Sequence, residues 1–144
     1  MDLLNKFGLI ITIIFVFAFI INPPWHKIFR NKKTYNYILY FSIFLPIVSF
    51  LTLFGEVENP RISVFVTLYP FVFLILYSHF DNLILKKYNR HLIFSRKYNV
   101  IWKDDESDYA TSTDNLYQFL ISFIPIILPY GIGWIIFEII KYYC

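Results

Sequence analysis

Four stretches of the chain run without a formal charge, at Phe7–Ile21, Tyr35–Phe54, Ile62–Phe80 and Leu116–Phe137, and the charges gather between them. A helix needs about 20 mostly apolar residues to cross the hydrocarbon of a bilayer. Three stretches reach that length by themselves. The first does so when Leu3 and Leu4 are counted, with Asn5 and Lys6 at the headgroups. The pattern predicts an all-α integral membrane protein with four transmembrane helices, at 3–21, 35–54, 62–85 and 116–140, forming a single domain over residues 1–144. A cleaved signal peptide is the rival reading of the first stretch. It is disfavoured because Asp2 accompanies Lys6 at the start and "FIINPPWHK" lacks a small-x-small cleavage pattern.

The boundary after the first span is "NPPWHKIFRNKK". Asn22 suits a helix cap, Pro23 suits a first turn, and Trp25, Ile28 and Phe29 follow at i, i+3, i+4. The expectation is a short interfacial helix with that stripe dipped into the membrane and His26, Lys27 and Arg30 turned away. Trp25, Lys27, Arg30, Lys32 and Lys33 are its membrane-interface residues.

Lys and Arg then set a direction. The loop after span 1 holds Lys27, Arg30, Lys32 and Lys33, and the loop after span 3 holds Lys86, Lys87, Arg90, Arg96, Lys97 and Lys103, whereas the opposite side has only Lys6, Arg61 and Lys141. By the positive-inside rule both basic loops face the cytoplasm and both termini lie outside, in a cell (inner) membrane. The second loop, 86–115, is the only sizeable aqueous segment. Its "HLIF" and "NVIW" flank the turn-like "SRKY" and predict a small β-hairpin, and "KDDESDYATSTD" reads as a flexible acidic stretch.

Within the spans, proline and glycine are the unusual residues. Pro46, Pro70, Pro125 and Pro129 each remove a backbone donor. Ser122, Pro125, Pro129 and Gly133 recur at three- and four-residue steps on one face of span 4, where packing is the commoner cause of such a pattern. Together with Gly131 they mark Pro125, Pro129, Gly131 and Gly133 as a candidate helix break. The polar candidates near the hydrocarbon are His79, Asp81 and Asn82 at the inner end of span 3, and Glu138 at the outer end of span 4. His79 and Asp81, two apart, fall on different faces of a helix, and Glu138 has Lys141 at i+3.

Composition narrows the class further. Hydrophobic residues make up 58% of the 144 residues and charged residues 16%, too apolar for a small soluble fold to bury. The net charge of +3 reflects the loop bias and calls for no nucleic-acid partner. Known site chemistries can be tested by counting. Cys144 is the lone cysteine, so paired-thiol chemistry is out. The three histidines map to one boundary rather than facing each other as haem ligands, and neither H-E-x-x-H nor a glycine-rich phosphate loop occurs. These residues predict no catalytic set, no metal site and no cofactor.

The function they suggest is a membrane-embedded binding, accessory or immunity-type protein, whose partners are the lipid bilayer and either another membrane protein or further copies of itself. An oligomeric channel or small transporter working through a broken span 4 is the alternative. A lipid-acting enzyme using His79 and Asp81 at the inner leaflet ranks third.

Overall fold

A computed structural model describes residues 3–18, 23–53, 67–94 and 109–143. Among them lie four α-helices, α1 (Leu3–Val16), α2 (Lys32–Leu53), α3 (Tyr69–Tyr88) and α4 (Ser112–Tyr143), with a 3-10 helix at Pro23–Arg30 and no strand. The all-helical expectation holds. Among the described residues one helix, α4, is long and apolar enough to cross a membrane.

The starts of α2, α3 and α4 each have a local cause. Asn31 caps α2, its Oδ1 accepting from the backbone N–H of Lys33 at 3.0 Å and of Thr34 at 3.4 Å. Pro70, expected inside span 3, instead occupies the first turn of α3, where a missing N–H costs nothing. The expected residues 62–66 of that span lie outside the described residues, as do 19–21 of span 1. α4 starts four residues ahead of its apolar block because Thr111 and Asp114 form a capping box: the Asp114 N–H donates to Thr111 Oγ1 at 3.4 Å, and the Thr111 N–H donates to Asp114 Oδ2 at 2.8 Å.

The centre of the bundle is α3, which packs against α1, α2 and most extensively α4. Its buried stripe is Tyr69, Phe73, Tyr77, Asp81 and Ile84, the spacing of one helix face. Aromatic rings dominate the contacts around it. Phe73 meets Phe15 edge-on at 5.4 Å, Phe29 lies 5.2 Å from Tyr77, and Phe80 stacks on Tyr117 of α4 at 4.5 Å. The outer surface is rich in large apolar side chains as well. Phe7 and Ile14 on α1 and Phe17 just after it, Phe44 and Ile47 on α2, and Ile127 and Trp134 on α4 all stand exposed, each by 45% or more.

Three local expectations are corrected. The segment after α1 is a 3-10 helix, not an α-helix, so its period is 3.0 rather than 3.6 and residues three apart eclipse one another. His26 and Phe29 therefore share the inward face, at 0% and 5% exposure, while Ile28 stands out at 43%. The His26 ring stacks on Phe94 at 4.5 Å, whereas the α-helical pattern had turned it away from the apolar side. Next, "HLIF" forms no strand: residues 91–94 are irregular and pack on α3, and 95–108 lie outside the described residues. Finally, α4 is helical through Pro125, Pro129, Gly131 and Gly133, with no unwound turn. Pro125, Pro129 and Gly133 lie buried on the face that meets the bundle, and Gly131 points into open space. With Thr12, Val16 and Tyr69 the two prolines line a cleft of about 190 Å³.

Candidate functional site

The polar groups of the fold converge where α3 ends and α4 begins. Asn89 takes the left-handed conformation (φ 53°, ψ 34°), and its N–H donates to the Leu85 carbonyl at 3.0 Å. Asparagine tolerates this backbone better than most residues. The turn reverses the chain, so residues 90–94 run back along α3 with Leu92, Ile93 and Phe94 buried. An irregular buried segment needs partners for its amides, because an unpaired buried N–H costs as much as a lost hydrogen bond.

Two carboxylates supply them. Asp81, in the buried stripe of α3, accepts the Leu92 N–H on Oδ1 at 2.7 Å and faces His91 Nδ1 from Oδ2 at 2.9 Å. Asp114, in the first turn of α4 and fully buried, accepts the Ile93 N–H at 3.3 Å. The Arg90 guanidinium grips Asp114 bidentately, Nη1 to Oδ1 at 3.0 Å and Nη2 to Oδ2 at 2.6 Å. Thr111 adds its hydroxyl to Oδ2 at 2.6 Å. From the other side Arg30 of the 3-10 helix donates to the Leu92 carbonyl at 3.3 Å. Residues 90–93 are thus tied to α3, to α4 and to the 3-10 helix at once.

The electrostatics follow from these contacts. Burial alone would raise the Asp114 carboxyl, but hydrogen bonds from Arg90, Thr111 and Ile93 outweigh it and hold the group at about 2. The hydrogen bond to Asp114 in turn raises the Arg90 guanidinium. Beside it, Tyr88 lies within 5.0 Å of Lys87 Nζ and 5.5 Å of the Arg90 guanidinium carbon, measured from its ring centre. Hydrogen bonds with Lys87 and Thr113 lower its hydroxyl from the ordinary tyrosine value.

Of the four polar residues expected from sequence, only Asp81 belongs to this cluster. His79 is exposed on α3 with its ring against Phe80 at 5.5 Å, and Asn82 is exposed as well. Glu138, also exposed, lies 24 residues beyond Asp114 on α4, about 36 Å along a helix rising 1.5 Å per residue. Arg90, His91, Thr111 and Asp114 were not among the candidates. A sequence signal existed for two of them, since "TSTD" ahead of an apolar run has the capping-box form. Chemically the cluster is a clasp: its carboxylates are engaged by amides and cations of the same chain, and among the described residues no set of three or more His, Cys, Asp or Glu comes together to hold a metal ion. Comparison of the chain with protein-family models, with curated proteins and with solved structures gives no match.

Proposed function

We propose that this chain is a four-span membrane protein that acts as a membrane-embedded binding or accessory subunit, of the kind that immunity proteins also represent. It works through helix–helix or loop contacts with a protein partner or with further copies of itself. The observation that carries this reading is the division between the two kinds of surface. The polar side chains that could do chemistry, Asp81, His91, Arg90 and Asp114, are spent on holding the chain's own loop. The outward faces of α1, α2 and α4 carry large apolar side chains with no counterpart in the bundle. Such faces suit lipid and neighbouring helices. The channel alternative draws no support from α4, which stays helical where the break was expected. The lipid-acting enzyme draws little from His79, which stands apart from Asp81.

Orientation completes the proposal: the 3-10 helix and the loop after α3 face the cytoplasm across the inner membrane, with both termini outside. Cys144, the lone thiol, is its probe. In intact spheroplasts a membrane-impermeant maleimide labels wild type, whereas a Cys144→Ser chain carrying Ser107→Cys labels only after lysis; the reverse pattern inverts the topology. For the function, a photo-crosslinking residue at Phe44, Ile47 or Ile127 captures a discrete protein adduct in cells. A chain that runs as a monomer and gives no adduct from any of the three positions refutes the binding role.

A further inference from the structure

Two helices that both rest on α3 leave a slot between them. α1 and α4 each pack on α3. Tyr69, the first residue of α3, lies at the base of the gap with Thr12 of α1 and with Pro125 and Pro129 of α4, all four of them buried. Along its edges Ile13 of α1, Phe17 just after that helix, and Ile126 and Tyr130 of α4 stand exposed, so the slot is floored by the bundle and open at its side. On each wall the lining residues fall at i, i+1, i+4 and i+5, a single stripe about 8 Å long at 1.5 Å per residue.

Depth and chemistry then narrow what can enter. The stretch of α4 that is long and apolar enough to cross a membrane is Ser112–Ile136, with residue 124 at its middle, so residues 125–130 fall within about 9 Å of that middle along the helix. The hydrocarbon of a bilayer reaches about 15 Å to either side of its centre. Almost no polar atom faces the slot. The Tyr69 hydroxyl donates to the Ser122 carbonyl at 3.5 Å, and neither proline has an N–H to offer. A buried water needs about two to four polar partners, so it finds no seat here.

We infer that the slot seats the far end of one phospholipid acyl chain. An empty slot forfeits dispersion contacts along its lining, and a hydrocarbon chain restores them. The space is of the right size: an apolar cavity of about 150 Å³ takes a benzene molecule, and this one, at about 190 Å³, is drawn out between two facing stripes, which suits a flexible linear chain. Its edges are continuous with the outward faces of the helices. Ile10 and Ile14 flank Ile13, and Ile127 follows Ile126, all exposed and apolar, so a chain enters from the surrounding lipid without passing a charge. No lining residue is charged and both bilayer surfaces are distant, so the headgroup is not selected. The inference rests on the membrane-spanning reading above.

Photo-labelling tests it. The protein is reconstituted into vesicles of phosphatidylcholine or of phosphatidylglycerol that carry a diazirine near the end of one acyl chain, irradiated, and its adducts are assigned to single residues by peptide fragmentation. Lipid tails are as apolar as the slot, so the preference comes from packing alone and is modest. Adducts at Val16 and Ile126 should exceed those at Ile10 and Ile14, which share α1 but do not line the slot, by about threefold in both lipids. Val16→Trp and, separately, Ile126→Trp fill the slot and should bring the ratio to near one while adducts at Ile10 and Ile14 persist. Ile126 is exposed, so its replacement tests the slot even where Val16→Trp unsettles the fold. A ratio near one in the parent, an excess that survives both variants, or an excess in phosphatidylglycerol alone overturns the acyl-chain site. Adducts at Ile10 and Ile14 with none in the slot also overturn it, since a protein side chain then fills the space. Adducts at no position would instead remove the membrane reading beneath it, so the two failures are told apart.

Discussion

Replacing Asp114 with Ala should open the clasp from its α4 side. The side chain is fully buried and accepts from both Arg90 nitrogens, from the Thr111 amide and hydroxyl, and from the Ile93 amide. Removing one partner of a buried ion pair costs about 3–5 kcal/mol, chiefly because the other charge is left behind. The Arg90 side chain is 28% exposed, so water recovers part of that loss and the lower figure applies. About 3 kcal/mol corresponds to roughly a hundredfold change in an opening equilibrium. The place to read it is hydrogen–deuterium exchange of the peptide spanning residues 89–94 in detergent or nanodiscs. Its amides should exchange about a hundredfold faster in Asp114→Ala, while peptides from α2 keep their wild-type rates. Asp114→Asn, which retains an acceptor oxygen for one of the two amides but loses the charge, should fall between. Wild-type exchange at 89–94 in Asp114→Ala would refute the clasp as the element that holds this segment.

Other consequences can be checked separately. Because Asp114 titrates at about 2 in the fold against an ordinary value of 3.8, its contribution is complete above about pH 4 and is lost as pH falls through about 2; acid melts of wild type should steepen there relative to Asp114→Asn. Asp81→Ala strands the buried Leu92 amide and should destabilise by about 1–3 kcal/mol, while His79→Ala, at an exposed position, should stay within about 0.5 kcal/mol in the same denaturation assay. Tyr77→Ala removes a ring that is 1% exposed and should cost about 3–5 kcal/mol, a cavity effect visible as loss of the folded band after detergent extraction and heating. Gly131→Ala meets no atom within 4 Å and should raise stability by about 0.5–1 kcal/mol through helix propensity alone; a loss there would mean that a neighbour outside this chain occupies the space.

What the sequence makes readable, and what it hides, divides by distance along the chain. The helices follow from uncharged blocks, and their starts from Asn31, Pro70 and Thr111, each a local signal acting within one turn. The 3-10 helix was legible as a helix but not in its period, and a change from 3.6 to 3.0 residues per turn is enough to move His26 from the outer face to the core. Asp81 was recognised as costly in place. Its partner His91 was not, because ten residues and a chain reversal at Asn89 separate them, and helical periodicity is silent across a left-handed turn. Arg90 and Asp114 are 24 residues apart, and only their joint approach to residues 91–93 explains both. The prolines of α4 suggested a break because each lacks a donor, but a lost donor need not unwind a long apolar helix whose face is packed.

The spacing of the two carboxylate latches also orders events while the chain is still being made. Asp81 enters a buried stripe of α3, yet the Leu92 amide and His91 that satisfy it follow within about ten residues, about 0.5–2 seconds of synthesis at about 5–20 residues per second. Asp114 is translated 24 residues after Arg90, when the reversed segment can already be seated against α3. In chain order, then, the Arg90 half of the clasp precedes its Asp114 half, and α4 is the element whose arrival closes it.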